Sequence, residues 1–190
     1  MSKKNIVNPK AQAKFRQGLA VHEKGQLAQA QALYQAALHI DPQHGESIHH
    51  LGIVALQTND VHRAVELIEQ SLAISPDNPG ALNNLGMALE DCQQPERALV
   101  AYDRAIAVDT RNFEAHINRG NVLQTLKRWG EALQCYEHMI TQMPQQPDAY
   151  NNKGNVLRAL NRQEEAIKSF GQAIALKPNF AQAWNNLGIA

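Results

Sequence analysis

The chain has 190 residues, 18 Lys plus Arg against 18 Asp plus Glu, and 5% aromatic residues. With zero net charge and no long run of either sign, it offers no basic stripe for neutralising phosphates, which argues against a nucleic-acid partner. No stretch approaches the roughly 20 apolar residues of a membrane span, and Met1 to Lys10 lacks a signal-like apolar core, so a cytoplasmic location is expected.

Past that polar N-terminal segment, Gly18, Gly52, Gly86, Gly120, Gly154 and Gly188 stand 34 residues apart. A fixed period of this length marks stacked supersecondary units. With the glycine at position 8, a polar segment at 1–10 precedes units at 11–44, 45–78, 79–112, 113–146 and 147–180. A partial sixth unit, 181–190, holds a first helix only.

Each unit reads as two helices. At ~100° per residue, positions 4, 7, 8 and 11 share one face, as in Leu82, Leu85, Gly86 and Leu89. Positions 20, 24, 27 and 28 share a face of a second helix, as in Ala166, Phe170, Ala173 and Ile174. Polar turns such as Thr58-Asn59-Asp60 and Leu160-Asn161-Arg162 join the two. Pro42, Pro76, Pro144 and Pro178 stop the second helix, while Pro79 and Pro147 suit a first helical turn. The expected fold is all-α, an α-solenoid of antiparallel helix pairs.

Position 20 is Ala30, Ala64, Ala98, Ala132 and Ala166, and position 24 is Tyr34, Ile68, Tyr102, Tyr136 and Phe170. Together with the glycines and prolines this pattern resembles the tetratricopeptide repeat family over residues 11–190. Thr110 departs from it by lacking the proline, Met139 by being large, and Arg119 and Lys153 by replacing the usual leucine. The resemblance implies a right-handed superhelix with a protein or peptide partner, and with no catalytic motif in the sequence the expected function is a non-catalytic scaffold that binds an extended peptide or a partner helix. It also implies that positions 2, 5, 6, 9, 12 and 13 line a concave groove.

Those positions are rich in amides. Position 6 carries His50, Asn84, Asn118, Asn152 and Asn186; position 5 carries Asn83, Asn151 and Asn185; position 9 adds Asn121 and Asn155. Asparagine is a mediocre helix former, so its recurrence away from the packing stripe calls for a reason. A side-chain amide pairs with both polar groups of a peptide unit, and a ladder of them would hold an extended peptide by its backbone. The competing reading makes the same amides inter-helix braces. The Asn-Asn-x-Gly pattern at 83–86, 151–154 and 185–188 is similar to the asparagine-lined repeats of O-linked N-acetylglucosamine transferases, where the ladder contacts substrate polypeptide. That likeness implies, as an alternative, a substrate-recruiting arm of a larger enzyme continuing past residue 190.

Other chemistries find no support. Asn121 and Asn152 match the asparagines of the carboxylate clamp in chaperone-binding relatives, but Ile117, Gln182 and Asn186 stand where its cations belong. His44, His49, His50 and His62 cluster in the second unit without metal-ligand spacing, so neither metal nor cofactor is expected. Cys92 and Cys135 read as structural thiols. In the sixth unit Trp184 and Leu187 lack second-helix partners, which raises the expectation of a longer chain or of self-association through an open C-terminal end.

Overall fold

The computed structural model describes residues 8–189, and every element among them is a helix or a turn. The segment Met1–Val7, which holds most of the expected polar N-terminus, and Ala190 lie outside the described residues. The chain divides into two compact units, residues 1–94 and 95–190. The first holds α1 (Pro9–His22), α2 (Leu27–Ile40), α3 (Gly45–Gln57), α4 (Val61–Ile74) and α5 (Pro79–Asp91). The second holds α6 (Pro95–Val108), α7 (Phe113–Thr125), α8 (Trp129–Gln142), α9 (Pro147–Ala159), α10 (Gln163–Leu176) and α11 (Ala181–Ile189). Within each unit every helix packs on the next in the chain.

The boundaries follow from local chemistry. Asn8, Asn78 and Asn112 each accept a backbone N–H of the first turn at 3.0 Å, satisfying a donor that the helix leaves open. Pro9, Pro79 and Pro147 occupy the first turn, where no donor is needed. His44 performs the capping with an imidazole, its Nδ1 accepting from the Ser47 amide at 3.2 Å. Between the two helices of a pair, one residue per period takes the left-handed conformation: Gly25 (φ 74°), Asn59 (61°), Gln93 (58°), Lys127 (59°) and Asn161 (59°). That conformation ends the helix and starts the reversal.

Packing turns on the periodic glycine. A Cβ on Gly18 would lie 2.5 Å from the Tyr34 ring, and one on Gly52 would lie 2.6 Å from the Ile68 side chain. The same collision awaits at Gly120 with Tyr136 and at Gly154 with Phe170. Tyr34, Ile68, Tyr136 and Phe170 are completely buried, as are Ala30, Ala64, Ala132 and Ala166 one helical turn before them. Glycine and alanine thus let two helix backbones approach while one large side chain seals the seam. Around Gly188, by contrast, nothing lies within 4 Å of a would-be Cβ.

Arg119 and Lys153, the departures from leucine, have a structural reason. Arg119 Nε donates to Asp103 Oδ1 at 2.5 Å, and Lys153 Nζ meets Glu137 Oε1 at 2.9 Å. Both acids lie 16 residues earlier, on the second helix of the preceding pair. Half-exposed ion pairs of this kind contribute about 0–1 kcal/mol each, so their main effect is to make a cation tolerable where leucine is usual.

Gly154→Ala should destabilise the protein by about 1–3 kcal/mol through overpacking against Phe170, less the ~1 kcal/mol that alanine gains in helix propensity. Gly188→Ala should cost nothing. Chemical denaturation of both variants checks the contrast.

Candidate functional site

The amide-bearing positions fall on α3, α5, α7, α9 and α11. In the first unit Asn83 is 2% exposed and Asn84 half-buried; in the second, Asn151 is 1% exposed, Asn118, Asn152, Asn155 and Asn186 are half-buried, and Asn121 and Asn185 are exposed. Position 5 therefore faces inward at residues 83 and 151, while positions 6 and 9 keep part of their surface. One helical step separates the two environments, since adjacent residues diverge by about 100°.

Several amides are bonded between neighbouring first helices. Asn186 Nδ2 donates to Asn151 Oδ1 at 2.9 Å, and Asn151 Nδ2 donates to Asn152 Oδ1 at 3.3 Å. In the first unit Asn84 Nδ2 lies 3.0 Å from His49 Nε2, which accepts its hydrogen. Both inter-helix bonds link position 6 of one period to position 5 of the period before it. Bracing is thus an observed role for Asn84, Asn151 and Asn186.

Of the other amides, Asn121 is tied to the second helix of its pair and Asn155 to a residue of its own helix. Tyr136 Oη donates to Asn121 Oδ1 at 3.0 Å and accepts from Gln124 Nε2 at 2.9 Å. Burial, with Cys135 adding to it, holds the Tyr136 phenol protonated far above neutral pH, while the Gln124 and Asn152 amides offset part of that effect. Arg158 Nη2 reaches Asn155 Oδ1 at 3.4 Å. Sequence reasoning places Gln124 and Arg158, both at position 12, on this face but gives neither a role, and it does not pick out Tyr136 for it. A signal exists all the same: positions 12 and 24 recur as polar and aromatic partners, with His22 Nδ1 and Tyr34 Oη similarly 3.0 Å apart.

His22, His44, His49 and His50 of the first unit form a packed polar-aromatic group with Phe15 and Tyr34. His50 lies edge-on to Phe15 with centroids 4.9 Å apart and donates from Nδ1 to the Glu46 carbonyl at 2.8 Å. Burial pushes His50 down from the ordinary imidazole range, and the same cause, reinforced by His50, pushes His49 down to about 4. Among the described residues no group of three or more His, Cys, Asp or Glu side chains could hold a metal ion.

The cavity of about 250 Å³ beside α7 and α8 is lined by Asp103, His116, Arg119, Glu131, Cys135 and His138. Its thiol is not activated. Burial raises the Cys135 pKa against the lowering pull of Arg119, and Sγ lies 3.5 Å from the His116 carbonyl rather than against a base. No helix among the described residues is long and apolar enough to cross a membrane.

A folded-state His49 value of about 4, against about 6.5 unfolded, means that the fold favours the neutral ring. Its contribution is complete above the unfolded value and is lost as pH falls through the interval toward 4. Unfolding free energy should therefore drop by roughly 2–3 kcal/mol across that window, and His49→Gln should flatten the profile, as measured by urea titrations at several pH values.

Comparison with known proteins adds the lineage. The family profile described as tetratricopeptide repeat matches residues 3–44 and 93–149, together more than half of the chain, and a TPR repeat profile matches 154–190. A profile described as Est1 DNA/RNA binding domain matches residues 30–104. No curated protein sequence matches the chain. Among solved structures, YrrB, described as a TPR protein with an unusual peptide-binding site, is 24% identical with a TM-score of 0.75, over 90% of this chain and 89% of YrrB. MamA is 25% identical with a TM-score of 0.79, over 87% of this chain and 96% of MamA. The thermophilic TPR protein TTC0263 of Thermus thermophilus is 20% identical with a TM-score of 0.66, over 94% of this chain and 97% of its own. Sequence profile, helix pairing and structural likeness agree, and the chain belongs to the tetratricopeptide repeat family.

Proposed function

We propose that this protein is a non-catalytic interaction scaffold whose first-helix amides bind an extended peptide. The carrying observation is that several amides are held by one hydrogen bond each while the other amide atom stays available. Asn84 and Asn186 use Nδ2 to reach the preceding period, which leaves Oδ1 to accept from a peptide N–H. Asn121 and Asn155 use Oδ1, which leaves Nδ2 to donate to a peptide carbonyl. Side chains fixed in this way lose little further freedom on binding. YrrB, with its peptide-binding site, supports the same reading through its similar fold.

In this reading the ten residues divide by environment. His50, Asn84, Asn118, Asn121, Asn152, Asn155, Asn185 and Asn186 face the ligand, whereas the buried Asn83 and Asn151 position their neighbours. Arg158 adds a cation at the same face, beside Asn155. The likeness to glycosyltransferase recruiting arms rests on the Asn-Asn-x-Gly pattern, and the amide-to-amide bonds give that pattern a second explanation. The balanced charge keeps nucleic acid the weaker partner class despite the Est1-type match.

The test uses a peptide selected on this protein from a random library. Asn155→Ala with Asn185→Ala should weaken its binding roughly 5- to 150-fold, at about 0.5–1.5 kcal/mol per hydrogen bond, with the melting temperature little changed. Asn151→Ala should instead lower stability by about 1–3 kcal/mol. Calorimetric titration and thermal melts separate the two effects. Unchanged affinity in the double variant would remove the ligand role.

A further inference from the structure

Arg158 on α9 is a cation without a counter-charge. In the same unit Arg119, Arg128 and Arg162 each meet a carboxylate, at Asp103, at Glu96 and Glu131, and at Glu165. Among the described residues no carboxylate pairs with Arg158, and its single hydrogen bond is the 3.4 Å contact from Nη2 to Asn155. Its Nη1 is the one buried side-chain nitrogen or oxygen among those residues that has no hydrogen-bond partner.

The repeat period gives the reason. Arg158 stands at position 12, as do His22 and Gln124, and both of those meet the phenol at position 24 of their own pair. His22 Nδ1 lies 3.0 Å from Tyr34 Oη, and Gln124 Nε2 donates to Tyr136 Oη at 2.9 Å. In the fifth pair position 24 is Phe170, completely buried and without a hydroxyl. The fold thus withholds the usual acceptor where it places a guanidinium with five N–H donors. A buried donor without an acceptor carries its desolvation cost in full, and an uncompensated charge costs more. The side chain as a whole is only half-buried. Nε has no partner either but is not enclosed as Nη1 is, so the edge formed by Nε and Nη2 is the open one.

We infer that Arg158 reads an acidic side chain, Asp or Glu, in the extended peptide held by the amides around it. This rests on the peptide-binding reading above and makes the ligand an acidic peptide. The two oxygens of a carboxylate match the parallel N–H groups on the Nε–Nη2 edge, and its single charge balances one guanidinium. Arg158 lies three residues beyond Asn155, about 4.5 Å of helical rise, so one peptide residue or its neighbour meets both. The carboxylate belongs to a side chain rather than to the peptide's end. First helices before and after α9 also present amides, Asn121 on α7 and Asn186 on α11, so a peptide following the ladder runs past Arg158.

The experiment selects peptides from a random library on the intact chain and, in parallel, on its Arg158→Met variant. Expected is a preference for Asp or Glu at one peptide position with the parent chain and none with the variant. Changing that residue to its amide in a selected peptide should weaken binding roughly 10- to 150-fold on the parent. On Arg158→Met the same change should matter less than about twofold. Arg158→Lys, which keeps the charge and loses the fork, should restore part of the preference. The melting temperature of Arg158→Met should not fall, because the free protein gives up no ion pair. Peptides that need Asn155 and Asn185 yet show no acidic position would overturn this inference and leave the amide reading standing. Selection of no peptide at all would overturn both. A marked fall in melting temperature with the acidic preference intact would assign Arg158 to the fold. Binding lost only when the peptide's C-terminus is amidated would move the carboxylate to the chain end, against the side-chain assignment.

Discussion

The structure depends on one steric constraint, the contact between a glycine on one helix and a large side chain on the next. Gly18 with Tyr34, Gly52 with Ile68, Gly120 with Tyr136 and Gly154 with Phe170 are the same contact made four times within the two units. Dispersion falls off steeply with distance, so removing a single Cβ at the crossing gains close contact along the whole seam. The alanines around each large side chain serve the same approach. Once the pair is fixed, positions 6 and 9 of each first helix take no part in that seam and can carry polar groups.

How those polar groups are arranged follows from helix geometry. Neighbouring positions 5 and 6 point about 100° apart, which places Asn151 in the interior and leaves Asn152 partly open. A buried amide must find partners or cost about 1–3 kcal/mol, and Asn151 finds them in Asn152 and Asn186. The bracing bonds and the proposed ligand bonds therefore do not compete. In the proposed reading, a brace fixes the orientation of an amide whose second polar atom would meet a peptide already aligned.

Much of this was legible in the sequence, and the reasons differ by feature. Helix pairing could be read because the glycine, alanine and aromatic positions obey one period, and the structure is all-helical among the described residues with that pairing inside each unit. Inward amides could not be separated from outward ones by residue type, since Asn151 and Asn152 are the same residue. The Arg119 and Lys153 departures read as irregularities because their partners Asp103 and Glu137 lie on another helix. Their common offset of 16 residues was the signal available. Left-handed turns at Gln93 and Lys127 carry no sequence mark of their own, and only the register with Gly25, Asn59 and Asn161 exposes them.

The most direct test of the steric constraint is a double-mutant cycle at Gly154 and Phe170, read by equilibrium denaturation. If glycine is required because the ring presses on it, Gly154→Ala should be better tolerated beside the smaller Phe170→Val. The double variant should then be at least about 1 kcal/mol more stable than the two single losses summed. Strict additivity, with the alanine costing as much under valine as under phenylalanine, would contradict the account and leave the periodic glycines without a packing role.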